Sequence, residues 1–173
     1  MIYVLAFVSL LLAAAVVMLF AMLGELYSRV GPAPEPTIPL QEVKVGQRPA
    51  TWPKELARLA KATDGVLLVL STSCASCVQV AGQLRDQFDM LAGYDTAVAL
   101  STADRERAEA FVREHALPRG SVYVDVGGDW VTEAFGVQTS PSALVLRDGQ
   151  LTSALVFTDV AALQSAMAPV KID

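Results

Sequence analysis

The sequence predicts an α/β domain, a mixed sheet with helices on both faces, preceded by one N-terminal transmembrane helix. Three observations carry this. Residues 1–24 contain no charge, and 22 of them are apolar. The rest alternates short continuous apolar runs with stretches of helical period, the signature of strands covered by helices. Near the end, two apolar runs flank Asp148-Gly149, a strong two-residue hairpin signal.

The chain has 173 residues, 53% hydrophobic and 18% charged, with a net charge of −5. Without its first 24 residues it is about 47% apolar, ordinary for a globular domain. Two cysteines exclude a disulfide-dense scaffold. The acidic balance and the lack of a Lys/Arg run argue against nucleic acid, since phosphate binding needs clustered cations.

As a helix, 24 residues rise about 36 Å, enough for a hydrocarbon core of about 30 Å. A cleaved signal peptide would carry a basic start, a shorter apolar core and a small-x-small site. Here no Lys or Arg precedes the run, the run is too long, and no clean site lies at its end, where Ala21-Met22-Leu23 fails. Residues 1–24 therefore read as an uncleaved anchor, with Tyr27 and Arg29 at headgroup depth. Charge is silent on sidedness, because Arg29 is the one basic residue close to the span. Residues 25–39 form a juxtamembrane and proline-rich linker. Pro32, Pro34, Pro36 and Pro39 favour an extended spacer over a helix. The globular domain is expected over residues 40–173.

Within it, Lys54–Ala62 reads as a short amphipathic helix after Pro53, and Gly65–Ser71 as a strand buried on both faces. Cys77, Val80/Ala81, Leu84, Phe88 and Leu91 recur at helical spacing. Thr96–Leu100 is a second buried strand. Ala103–Ala116 is a charged helix, with Ser101 and Asp104 as its cap. Ser121–Val126 is a third strand, Asp129–Phe135 a helix stopped by Gly136, Ser142–Arg147 and Leu151–Phe157 the hairpin, and Asp159–Met167 a closing helix. The βαβ units imply parallel strands and the hairpin an antiparallel addition. His115 sits on a charged helix and reads as solvated. Gly127-Gly128-Asp129 reads as a turn, and Trp52 and Trp130 as partial core.

The two cysteines, Cys74 and Cys77, lie where a buried strand gives way to a helix. Residues three apart share a helix face, so a disulfide can form with little backbone movement. Cys74 falls at the helix N-terminus, where unpaired N–H groups and the macrodipole favour a thiolate. Cys77 lies on the apolar stripe and should be buried. An exposed attacking thiol with a sheltered resolving thiol suits thiol–disulfide exchange. A structural staple is the poorest use of such a pair, since a four-residue loop gains only about 1.9 kcal/mol. Zinc wants four ligands, which one CxxC and the sole histidine, His115, do not supply. Ser140-Pro141 opens a strand, where a proline is tolerated; only about 5% of X-Pro bonds are cis in folded proteins, and position alone does not decide the isomer.

The segment GVLLVLSTSCASC, followed later by FGVQTSPSALVLRDGQLTSALV, resembles the thioredoxin superfamily. The stretch AMLGELYSRVGPAPEP and the C-terminal region are similar to the membrane-anchored MauD-like branch, accessory proteins of methylamine dehydrogenase maturation. The resemblance implies a thioredoxin-like domain outside the cytoplasm, handling disulfides of client proteins. A membrane electron donor or membrane complex would be a further partner, and no cofactor is needed beyond a redox-active Cys74–Cys77 disulfide. It assigns Cys74 as attacking thiol, Cys77 as resolving thiol and Pro141 as a cis-proline facing them. Ser140 would pair with substrate backbone, with Ser73, Ala75 and Ser76 lining the substrate side. Four positions depart from thioredoxin: Ser73 replaces a tryptophan, Ala75-Ser76 the usual dipeptide, and Leu68 a buried aspartate. No proton acceptor for Cys77 is thereby assigned. A second reading is a redox-silent subunit or assembly factor of a membrane complex.

Overall fold

The computed structural model describes residues 2–30, 37–40, 43–87 and 91–167. The chain falls into two compact units, Met1–Pro34 and Glu35–Asp173. In the first, helix α1 spans Ile2–Val30. Its described side chains, Val4, Phe7, Val8 and residues 10–22, are all exposed. Among the described residues no helical stretch is long and apolar enough to cross a membrane; the uncharged run of sequence extends past those side chains at both ends. Prolines 32, 34 and 36, the side chains of Tyr27 and Arg29, and Phe88 lie outside what is described.

The second unit is built on a six-stranded sheet in the order β1-β6-β5-β2-β3-β4. The strands are β1 (Ile38–Pro39), β2 (Asp64–Ser71), β3 (Asp95–Thr102), β4 (Val122–Val126), β5 (Ser142–Arg147) and β6 (Gln150–Val156). Strands β2, β3 and β4 pair in parallel, while β5, β6 and β1 are antiparallel additions. This is the expected mixed sheet. Pro39 sits on the edge strand, where its missing N–H costs no ladder bond. The central strands β2 and β3 are buried on both faces, which is why their sequences lack polar alternation.

Helices α2 (Ala75–Gln87), α3 (Arg105–Glu114) and α5 (Val160–Met167) cover one face. Val66, Leu68 and Leu70 of β2 meet Cys77, Val80, Ala81 and Leu84 of α2 there. Leu67 and Val69 point to the other face of β2, toward Leu56, Leu59 and helix α4 (Asp129–Phe135). Helix α2 is tied to the head of α5 through Gln83, which donates to Asp159 Oδ2 at 3.2 Å and accepts from Val160 N at 2.9 Å.

Four local expectations change. Lys54–Ala62 is not an α-helix: Lys54–Leu56 is 3-10, and turns follow. The backbone bonds join residues three apart, Leu56 to Pro53 and Leu59 to Leu56. The buried residues Leu56, Leu59 and Ala62 also recur at a spacing of three, which suits three residues per turn rather than 3.6. Helix α3 is capped by Asp104 alone, whose carboxylate accepts from Arg107 N at 2.8 Å; Ser101 stays in β3, paired with Ser71 and Asp125. Strand β4 begins at Val122, because Ser121 belongs to a 3-10 turn. His115 is half-buried against the Phe111 ring, 4.5 Å between centroids, rather than fully solvated.

The hairpin turn is as expected. Asp148 and Gly149 both have positive φ, 50° and 72°, the condition of a type I′ turn. Helix α4 ends at Gly136 in the left-handed region. Trp52 and Trp130 pack with Phe135 and Tyr123 as partial core, with centroids 5.4–6.1 Å apart.

Candidate active site around the cysteine pair

Strand β2 delivers the chain to the carboxyl edge of the sheet and turns it into α2. Cys74 immediately precedes α2 and its carbonyl accepts the first helical bond, from Val78 N at 3.1 Å. It therefore holds the N-cap position. Its sulfur performs the N-cap function: Cys77 N donates to Cys74 Sγ at 3.3 Å. This bond joins the N-cap to the third helical residue, the geometry in which a serine oxygen would satisfy an orphan amide. The donor points at the atom that would carry negative charge in an attacking thiolate.

Cys74 is half-buried, and Cys77 is 0% exposed within the α2 core. Neither is in a disulfide. The Ser140-Pro141 bond is cis, as the resemblance implies. Cys74 Sγ donates to the Ser140 carbonyl at 3.6 Å, so residues 66 apart in sequence meet at the sulfur. Ser140 is half-buried and Pro141 buried. Ser73 and Ala75 are exposed and Ser76 is half-buried. The turn is held by Ser71: its carbonyl accepts from Cys74 N at 3.4 Å, and its hydroxyl lies 3.0 Å from Ser73 Oγ. Thr72 N is fixed to the neighbouring strand by the Ser101 carbonyl at 3.0 Å.

Burial pushes the Cys77 thiol up to about 12, and the adjacent Cys74 adds to this by hydrogen bond and charge. A desolvated sulfur anion is costly. Leu68, in the same core cluster, offers no base. At neutral pH Cys77 is thus a thiol, and any attack by it needs prior proton loss. In a mixed disulfide at Cys74 the Cys74 contributions vanish, whereas the burial remains. Resolution of such a mixed disulfide should therefore accelerate about tenfold per pH unit from pH 7 upward, levelling off below 12. Acid-quenched time courses of a preformed mixed disulfide measure this; a flat profile would show that Cys77 is not the resolving group.

Sequence reasoning does not identify the ground beside this pair. A cavity of about 310 Å³ opens between the ends of β2 and β3, the Gly127-Gly128 turn and Gln138–Ser140. Nor does it identify Asp125. This residue is 2% exposed, and its carboxylate accepts from Trp130 N at 3.2 Å and Val131 N at 3.0 Å, capping α4 from across the glycine turn. A buried-strand aspartate followed by Gly-Gly is the available signal. Among the described residues no group of three His, Cys, Asp or Glu side chains converges as a metal site.

No protein-family model matches the sequence, and no curated protein matches it. The fold is nevertheless shared with solved structures. A secreted Mycobacterium tuberculosis disulfide oxidoreductase homologous to E. coli DsbE aligns with a TM-score of 0.50 at 20% identity, over 64% of this chain and 84% of that one. A Chlorobium tepidum protein assigned as thiol:disulfide interchange protein DsbE gives 0.50 at 18%, over 77% and 89%. A Bacteroides thetaiotaomicron protein assigned as a protein disulfide isomerase gives 0.51 at 14%, over 76% and 89%. The domain has the thioredoxin-like fold.

Proposed function

We propose that this chain is a membrane-anchored thiol–disulfide oxidoreductase of the MauD-like branch, acting outside the cytoplasm on disulfides of partner proteins. The observation that carries the reading is the half-buried Cys74 sulfur, which receives the Cys77 amide and touches the Ser140 carbonyl. In the reducing direction the Cys74 thiolate attacks a client disulfide. An S–S bond forms between Cys74 and the client, and the first client sulfur leaves as thiolate. Cys77 loses its proton to solvent, and its sulfur attacks Cys74. The Cys74–Cys77 bond forms, and the second client sulfur leaves. The dithiol has given two electrons to the client; the oxidising direction is the reverse. Cys74 is the attacking group and Cys77 the resolving group. Pro141 and Ser140 form the wall opposite, with Ser73, Ala75 and Ser76 on the client side.

Anchoring is supported by the uncharged run of residues 1–24 in the sequence, which as a helix would rise about 36 Å. An extracytoplasmic domain suits a pair that must cycle through a disulfide. Alkaline carbonate extraction of native membranes should leave the full chain in the pellet; release into the supernatant would contradict the anchor.

The direct test of function is Cys77→Ser in native membranes. The first mixed disulfide then has no internal exit, so Cys74-dependent, reductant-sensitive adducts should accumulate. A reactive Cys74 that gathers no adducts would exclude exchange. One observation favours the redox-silent alternative, a docking subunit or assembly factor: Cys77 is buried, pushed up to about 12, and has Leu68 rather than a carboxylate in its cluster. That reading predicts no adducts.

A further inference from the structure

The parallel part of the sheet has a switch point. The connection after β3 runs through α3 on one face, and that after β4 runs through α4 on the other. Open α/β sheets bind ligands in the crevice outside the carboxyl ends of strands at such a point. The 310 Å³ cavity lies there, with Ser101 at the end of β3 and Gly127-Gly128 after β4 among its walls. Ser140 and Ser71 also line it. These are the residue that meets Cys74 Sγ and the residue that holds the Cys74 turn. The cavity and the sulfur thus share two walls.

The chemistry of the lining is narrow. It is rich in hydroxyls, from Ser71, Ser101, Thr132, Thr139 and Ser140, with the carboxamide of Gln138 at the mouth and Val69, Val131 and Val137 as apolar wall, and it contains no ionisable side chain. Thr132 Oγ1 is spent on the Val137 carbonyl, and Ser71 Oγ on Ser73. The side chains of Ser101, Gln138 and Thr139 have no hydrogen-bond partner among the described residues. The glycine amides are occupied, Gly127 N by the Thr102 carbonyl and Gly128 N by the Asp125 carbonyl, so the glycine turn offers no free amide to an anion. A charged occupant would lose hydration without a counter-charge, and an apolar one would leave the hydroxyls and amide unpaired.

We propose that this cavity receives a polar, uncharged side chain of the client polypeptide, carboxamide or hydroxyl, from a residue next to the client cysteine. The proposal rests on the exchange reading and adds a specificity site to it. A client cysteine bound at Cys74 with its backbone along Ser140 places neighbouring residues about 3.3 Å further along an extended chain, over the cavity mouth.

Symmetric disulfide dimers of short peptides, with Gln, Leu or Glu beside the cysteine, test it against the reduced full-length protein. The rate with 2-hydroxyethyl disulfide, which has no side chain to place, normalises each protein for thiol reactivity. Gln peptides should react about tenfold faster than Leu peptides, and faster still than Glu peptides. In Ser101→Ala/Gln138→Leu the Gln-over-Leu ratio should fall to about twofold or less. The single variant Gln138→Leu, at an exposed position, should lower it partway and secures the readout if the double variant folds poorly. Equal rates for all peptides, a Leu or Glu preference, or a ratio unchanged in the variants would overturn the proposal while exchange with the small disulfide stands. Loss of reaction with every disulfide, the small one included, would overturn the exchange reading itself and the cavity's role with it.

Discussion

Cys74→Ser is expected to lower exchange with a peptide disulfide by at least about three orders of magnitude, in line with the loss of an attacking nucleophile elsewhere. The remaining thiol cannot substitute. Cys77 is 0% exposed, lies within the α2 core and is held protonated by burial. Serine keeps the capping role at the head of α2, since its oxygen can accept from Cys77 N as the sulfur does at 3.3 Å. Thermal stability should therefore change little while the chemistry is lost, and stopped-flow exchange beside a melting curve separates the two. A variant that retained a tenth of the parental rate would move the attack away from Cys74.

The largest effect on stability is expected from Phe135→Ala. Phe135 is 0% exposed and closes α4 against the sheet. It meets the edges of Trp52 at 6.1 Å and Trp130 at 5.8 Å. Truncation removes a large buried surface and leaves a cavity between two indoles that cannot collapse freely, a loss of about 3–5 kcal/mol. For a domain of this size that corresponds to a drop in Tm of roughly 10–20 °C. Val78→Ala, at a side chain 43% exposed, should stay within about 0.5 kcal/mol. Calorimetry of the two variants checks the contrast; a mild Phe135→Ala would mean that the aromatic cluster is not part of the cooperative core. Because α4 also walls the cavity beside Ser71 and Ser140 through Val131 and Thr132, its looseness should reach the site.

The sheet is legible where burial writes a continuous signal. Residues 66–70 of β2 and 97–100 of β3 are continuously apolar because both faces are covered, and the Asp148-Gly149 turn is fixed by two positive φ values. Helix α2 is legible from its period, and its N-terminus places Cys74 outside and Cys77 inside. The 54–62 segment misleads because Leu56 and Leu59, three apart, also fit an amphipathic helix; the strict period of three that continues to Ala62 and the backbone bonds mark the 3-10 turns. The α3 cap reads one turn early because Ser101 and Asp104 have box spacing, while β3 claims Ser101 for its ladder. The cavity is invisible for a different reason. Its walls come from positions 71, 101, 127–128 and 138–140, which no local pattern joins. The isomer of Ser140-Pro141 follows from the resemblance, not from the residues around it.

On the proposed reading, one turn at the head of α2 holds a two-electron couple. The most direct measurement is differential alkylation of Cys74 and Cys77 in the full-length protein, equilibrated across a graded series of thiol–disulfide redox buffers. One reversible transition is expected, in which both thiols disappear together, with a midpoint between about −120 and −300 mV. Two cysteines that stay reduced throughout that range, or that are oxidised independently of each other, would contradict it.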